Sequence, residues 1–243
     1  RATYISAEMG DRSIIYAIFD LFPKLFAYAL PDQNGKIVSW SPLKVEYQDQ
    51  KTSERYSVSI DGEWKLTLEV FRDLGLAMAV AIFLIYFVLV AQFRSAVTPL
   101  LIMATIPLAL IGVLPGFALL SFFKGTYFNA TSMIGVIALA GIVVNNAIIY
   151  LEYLFSLRKE KRPLKESLIL AGRTRLLPIM LTSVTTILGS LTIVSDPVWE
   201  GLAWSIIFGL SISTFLTLII FPILYFMVEG KNWEREAHHE KHF

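Results

Sequence analysis

The 243-residue sequence contains no cysteine, so it can form neither a disulfide framework nor a thiolate metal site. Its three histidines all stand within the last six residues. No H-E-x-x-H, G-x-S-x-G or P-loop motif occurs, which argues against an intramembrane enzyme. The net charge of +1 also argues against a nucleic-acid partner. We therefore expect a protein that is not an enzyme and that carries no cofactor and no bound metal.

Charge is scarce over most of the chain. Between Leu74 and Leu151 only Arg94 and Lys124 are charged, and 55% of all residues are hydrophobic. A membrane-spanning helix needs about 20 apolar residues. The pattern predicts an α-helical integral membrane protein with five transmembrane helices in a bundle over residues 71–228. The predicted spans are about 74–93, 98–121, 131–154, 176–195 and 201–228.

The ends of the chain are more polar than its middle. Residues 1–70 mix strand-like stretches, such as "ATYISAEM" and "ERYSVSID", with a helix-like stretch after Arg12, and we expect an incomplete α+β domain. Residues 229–243 are predicted to be a charged tail. Because the chain begins with Arg1 and shows no signal peptide, we expect it to be the C-terminal piece of a longer polypeptide.

The distribution of lysine and arginine predicts the orientation. Seven of these residues lie between Arg158 and Arg175, and alternation places Arg94 and the tail residues on the same side. The opposite short loops carry Lys124 alone. By the positive-inside rule the tail is cytoplasmic and the N-terminal segment faces outward, which in a two-membrane bacterium is the periplasm.

Small and helix-bending residues recur inside the predicted spans. Interior proline bends a helix, and glycines four residues apart let a second backbone approach closely. We expect packing roles for Pro107, Gly112 and Gly116 in the second span, Gly135 and Gly141 in the third, and Gly189 in the fourth.

Polar side chains inside the membrane are the candidate functional residues. "GIVVNNAIIYLEYL" places Asn145, Asn146 and Glu152 in the third span, and Thr182 and Thr186 begin a polar stripe in the fourth. Such residues either mark a functional site or act as hydrogen-bonding glue between helices. We expect the Asn145 stripe and the threonine stripe to face one another or a shared third surface. Asn146 is expected to help packing, and Glu152 to pair with Arg158 and cap the cytoplasmic end.

Three motifs carry a family likeness. The stretch from "GEWKLTLEVFRDLGLAM" to "IPLALIG", then "FNATSMIGVIALAGIVVNNAI", then "RTRLLPIMLTSVTTILG", resemble the C-terminal half of a resistance-nodulation-division (RND) efflux pump permease of the acriflavin-resistance type. The resemblance implies the last five of twelve membrane helices, preceded by the end of a periplasmic porter domain. It also implies a proton-driven homotrimer in the inner membrane that exports hydrophobic or amphiphilic compounds.

The family also implies residue roles and partners. The position of its relay lysine falls on Asn145, that of its threonine on Thr182, and that of its arginine on Arg175. Asparagine here leaves the family's aspartates, which lie in the missing N-terminal half, without a fixed counter-charge. A periplasmic adaptor and an outer-membrane channel are the implied partners. A heavy-metal efflux permease and an accessory membrane subunit without transport of its own are the alternatives. The heavy-metal branch uses methionines, but we expect Met103, Met133 and Met180 only to fill the core between helices.

Overall fold

A computed structural model describes residues 3–6, 14–27, 35–49 and 53–239, and beyond Gly230 it describes the side chain of Trp233 alone. The chain divides into two compact units, Arg1–Asp73 and Leu74–Phe243. The second half of the predicted first strand and the side chains of the tail's basic residues and histidines lie outside the described residues.

The first unit is a small α+β structure. Helix α1 spans Ile14–Ala27, and the strands β1 (Gly35–Ser41), β2 (Lys44–Asp49) and β3 (Arg55–Ser59) form an antiparallel sheet in sequence order. Its core is small and centres on Val45 and on Tyr47, whose hydroxyl donates a 2.7 Å hydrogen bond to the Leu25 carbonyl. Residues 3–6 form no strand, contrary to the prediction from "ATYISAEM".

The second unit contains the five predicted membrane-spanning helices. Each is long and apolar enough to cross a bilayer, which confirms the predicted fold class. The second span consists of two helices in succession, so the elements number six: α2 (Glu63–Phe93), α3 (Val97–Met103), α4 (Thr105–Lys124), α5 (Ala130–Lys159), α6 (Leu164–Leu191) and α7 (Glu200–His239).

Several helices extend beyond the predicted spans. The residues from Arg158 to Arg175 were expected to form a loop, but α6 already begins at Leu164. Leu164, Leu168 and Ala171 recur at helical spacing and are buried, so this charged stretch is an amphipathic helix. The turn between α5 and α6 is therefore only residues 160–163. Likewise, α7 continues through the predicted tail to His239.

The break between α3 and α4 has a local cause. Proline has no backbone N–H, so Pro107 cannot donate to the carbonyl of Met103, where α3 ends. In the first turn of α4 the missing N–H costs little, because that position has no partner within the helix. Pro107 thus interrupts the second span, while Pro115 lies inside α4.

Helix α7 is the centre of the membrane unit, since α4, α5 and α6 all pack against it. Glycines make the closest of these approaches. A methyl group at Gly112 of α4 would lie 2.5 Å from the Phe208 carbonyl oxygen, and one at Gly135 of α5 would lie 2.8 Å from that of Leu202. Helix α2 is peripheral, and Leu89 is its one buried residue among those that the structure describes.

Candidate functional site on α5 and α6

Helix α5 begins at a well-formed cap. The Asn129 side chain accepts a hydrogen bond from the Ser132 backbone N–H, and Ser132 in turn accepts one from the Asn129 N–H. This reciprocal arrangement satisfies backbone donors that the first turn leaves free. The cap fixes where the helix starts, and 3.6 residues per turn then decide which side chains share a face.

Asn145 and Asn146 lie on different faces of α5. Successive residues of a helix are about 100° apart. Asn145 is exposed, together with Ala138 and Gly141 on the same stripe. Asn146 is only 2% exposed and lies on the side that packs against other helices. Its Oδ1 atom has no hydrogen-bond partner among the described residues.

Gly141 and Gly135 also differ, although both were predicted to pack. A methyl group at Gly135 would collide with Ser205 and Leu202 of α7. At Gly141 no atom of another described helix lies within 4 Å of such a group, and the same holds for Gly189 of α6. The stripe formed by Ala138, Gly141 and Asn145 is therefore an open surface of this chain.

Glu152 continues the open stripe of α5 toward its C-terminal end. The Gln92 amide of α2 donates a 3.5 Å hydrogen bond to the Glu152 carboxylate. Because α5 runs on to Lys159, Glu152 does not cap the helix as we expected. Arg158, its expected partner, has its guanidinium carbon 4.9 Å from the centre of the Trp233 ring.

The threonine stripe of α6 also lies on an open surface. Thr182 and Thr185 are exposed and Thr186 is half-buried. The hydroxyls of Thr182 and Thr186 donate to backbone carbonyls of α6 itself, at 2.9 and 2.8 Å. Within the described chain neither of them bonds to Asn145. The buried face of α6 instead carries Ser183, whose hydroxyl lies 2.8 Å from that of Thr214 on α7.

Arg175 brings a positive charge to the contact between α5 and α6. Its guanidinium carbon lies 4.9 Å from the centre of the Tyr153 ring, which is cation–π geometry. Its Nε atom is buried and has no hydrogen-bond partner among the described residues. The predicted relay set is thus divided between the α5–α6 contact, which holds Arg175, and the open faces, which hold Asn145 and Thr182.

Sequence reasoning missed the polar residues that face inward. Ser183 and Thr214 form the buried hydrogen bond between α6 and α7, and Thr217 lies one turn beyond Thr214. Spacing offered a usable signal, since Ser213, Thr214 and Thr217 repeat at helical intervals in an otherwise apolar span. In the part of the chain that the structure describes, no three His, Asp or Glu residues cluster as metal ligands would.

Comparison with known proteins shows where the chain belongs. A family model described as the AcrB/AcrD/AcrF family matches residues 43–229. The swarming motility protein SwrC of Bacillus subtilis is 35% identical over 206 residues, which are 80% of this chain and 19% of SwrC. The multidrug resistance protein MdtC of Proteus mirabilis is 30% identical over 196 residues, or 75% of this chain and 19% of MdtC.

Two further relatives concern metal efflux. The cobalt-zinc-cadmium resistance protein CzcA of Cupriavidus metallidurans is 31% identical over 237 residues, 96% of this chain and 21% of CzcA. A crystal structure of a heavy metal efflux pump superposes with a TM-score of 0.63 at 27% identity, covering 75% of this chain and 18% of the pump. The chain thus spans about a fifth of the length of these relatives. The predicted resemblance to an RND permease is confirmed. The chain belongs to the AcrB/AcrD/AcrF family of RND permeases.

Proposed function

We propose that this chain is the C-terminal membrane part of a proton-driven RND permease that exports hydrophobic or amphiphilic compounds. The observation that carries the proposal is the open face of α5, in a chain whose family match covers residues 43–229. A polar amide at Asn145, with Gly141 one turn before it, lies on the surface of a membrane helix whose opposite face is buried. Polar groups at such positions usually face protein or water and serve function.

Asn145 would act as a neutral donor and acceptor in the relay. An amide does not titrate, so it cannot carry the proton or provide a fixed charge. In this proposal the titrating acids lie on the part of the permease that would cover the open face, as the family resemblance implies. Thr182 and Arg175 would complete the α6 side of the relay. Of these relay residues only Arg175, whose guanidinium lies over the Tyr153 ring, carries a permanent positive charge.

Orientation and assembly belong to the same proposal. The α2–α3 turn with Arg94 and the α5–α6 turn with Lys161 and Arg162 lie at one end of the bundle, because the five spans, of which α3 and α4 together form the second, alternate in direction. The positive-inside rule makes this end cytoplasmic. The N-terminal unit would then be the end of a periplasmic porter domain. The complete permease would be an inner-membrane homotrimer with a periplasmic adaptor and an outer-membrane channel.

Heavy-metal export is the second candidate function. It is favoured by the match to CzcA, which covers 96% of this chain, and by the superposition on a heavy metal efflux pump. The methionines do not favour it. Met103, Met133 and Met180 are half-buried and stand on three different spans, as core-filling residues do.

The test is transport by the complete permease in sealed vesicles with an imposed proton gradient. We expect gradient-dependent uptake of an amphiphilic fluorescent dye, and a loss of more than tenfold in Asn145→Leu. Asn145→Gln, which retains an amide, should preserve much of the rate. Ser121→Ala is the control, because the Ser121 hydroxyl bonds only within its own helix, to the Ala118 carbonyl.

Each outcome decides between the candidates. Gradient-dependent uptake of cobalt or zinc ions without dye uptake would replace the amphiphile with a metal substrate. Dye transport that is unchanged in Asn145→Leu would remove Asn145 from the relay while leaving the exporter intact. No gradient-dependent transport of either kind, in a correctly inserted protein, would favour an accessory subunit.

A further inference from the structure

Two buried polar atoms without partners lie on neighbouring helices of the membrane unit. Asn146 of α5 is 2% exposed and Thr217 of α7 is 4% exposed. Neither Asn146 Oδ1 nor Thr217 Oγ1 has a hydrogen-bond partner among the described residues. Buried polar atoms in proteins are nearly always hydrogen-bonded, to protein or to an ordered water, so both need an explanation.

The contacts on either side of this pair place the two residues at the same height. Seven residues before Asn146, Leu139 packs against the position of Gly209, which is eight residues before Thr217. Four residues after Asn146, the ring of Tyr150 lies 5.6 Å from that of Phe221, which is four residues after Thr217. Helices α5 and α7 therefore run in the same direction, with Asn146 and Thr217 at matching positions.

The hydroxyls of Thr214 and Thr217, one turn apart on α7, have different hydrogen-bond partners. Thr214 donates a 2.6 Å hydrogen bond to the Leu210 carbonyl and lies 2.8 Å from the Ser183 hydroxyl of α6, so Ser183 is the donor in that contact. Threonine in a helix commonly bonds to a carbonyl one turn earlier, as Thr214 does. Thr217 makes no such bond, so both its donor and its acceptor capacity remain for another partner.

We propose that Asn146 and Thr217 hold one buried water molecule at the junction of α5, α6 and α7. A water needs two to four polar partners and is commonly found where buried groups would otherwise be unpaired. It can donate to Asn146 Oδ1 and exchange a hydrogen bond with the Thr217 hydroxyl. Ile179 of α6, at 1% exposure, belongs to the same buried apolar cluster as Tyr150, one turn after Asn146, and Phe221, one turn after Thr217.

The test is a double-mutant cycle on the thermal unfolding of the purified full-length permease. Asn146→Leu and Thr217→Val each remove one partner of the water while keeping the number of non-hydrogen atoms in the side chain. Each single change leaves the other group buried and unpaired, so we expect Tm to fall by roughly 3–10 °C. With both partners apolar no group is left unpaired. The double variant should consequently unfold at a higher temperature than either single variant.

A second cycle is the control. Ser205 is buried in the same α5–α7 interface, and its hydroxyl donates to the Ser132 carbonyl at 2.8 Å. Because it lies about three turns from Thr217 and shares no partner with Asn146, Asn146→Leu and Ser205→Ala should lower Tm additively. Additive effects of Asn146→Leu and Thr217→Val would instead overturn the shared water.

A high-resolution density map identifies the occupant. A single peak within hydrogen-bonding distance of both Asn146 Oδ1 and Thr217 Oγ1 is the expected result. A direct bond between the two side chains, with no peak, would overturn the water site while retaining their coupling. A Tm that rises with sodium chloride but not with choline chloride would show a bound cation instead. None of these readouts depends on transport, so they stand or fall separately from the proposed function.

Discussion

Asn145 and Asn146 carry the same amide and are adjacent in the chain, yet they have opposite environments. Asn145 is exposed and Asn146 is 2% exposed. The sequence marked both as unusual, because polar residues are rare in such spans, and we predicted a relay position for Asn145 and a packing role for Asn146. Which of two neighbours faces the interior depends on where the cap at Asn129 starts the helix and on which side α7 packs. The second fact comes only from tertiary structure.

Two glycines of α5 give a prediction at this scale. In the 243-residue chain, Gly135→Ala should lower the free energy of unfolding by about 1–3 kcal/mol, since the added methyl group meets the Leu202 backbone carbonyl, which cannot move aside. Gly141→Ala has free space at its site and gains up to about 1 kcal/mol of helix propensity.

The measurement is unfolding of both variants in detergent, followed by circular dichroism. Gly141→Ala is the control for the loss of glycine itself, because it lies on the same helix and introduces the same methyl group. Equal effects of the two substitutions would contradict the close packing of α5 on α7.

The helices as elements were predictable, but their ends were not. Scarcity of charge identified five spans, and all five are present. The same criterion began α6 too late and ended α7 too early, because it detects residues that suit lipid and not residues that suit a helix. Leu164, Leu168 and Ala171 continue α6 as an amphipathic stripe among charges. A break near Pro107 was foreseeable, because proline has no backbone N–H to donate. That the helix would be interrupted at Ala104, three residues earlier, was not.

The extension of α7 makes a contact that no hydropathy pattern predicts. Trp233 is 5% exposed, its indole N–H donates to the Arg162 carbonyl at 3.2 Å, and Arg158 lies over its ring. Trp233→Ala removes the indole from the α5–α6 turn and should lower the free energy of unfolding by about 3–5 kcal/mol. We also expect faster hydrogen exchange at the amides of residues 160–162.

The comparison for this variant is Trp199→Ala. Trp199 precedes α7 and is 46% exposed, so its removal should cost much less and leave exchange in the α5–α6 turn unchanged. Unchanged exchange at residues 160–162 in Trp233→Ala would mean that the turn is held by other contacts.

At the scale of the molecule, this chain represents about a fifth of its relatives' length. Its family and its five spans could be read from the sequence, since the motifs lie within the chain. Its substrate could not, because multidrug and heavy-metal relatives match the same residues about equally well. The proposed relay is likewise incomplete here. Asn145 and Thr182 lie on open faces of this chain, and the proposed function requires other helices of the complete permease to cover them.

Spin-label mobility can show whether other helices cover the open face of α5 in the complete permease. Because the chain has no cysteine, Asn145→Cys creates a single site for a nitroxide spin label. In the 243-residue chain the label should be mobile, since position 145 is exposed and a methyl group at Gly141, one turn before it, would meet no other described helix within 4 Å. In the complete, otherwise cysteine-free permease the label should be immobilised, because helices of the missing part would pack against this stripe.

A label at Lys159→Cys, near the exposed end of α5, should stay mobile in both forms. Equal mobility at position 145 in both would mean that the stripe faces lipid, and Asn145 would then have no relay partner to bind.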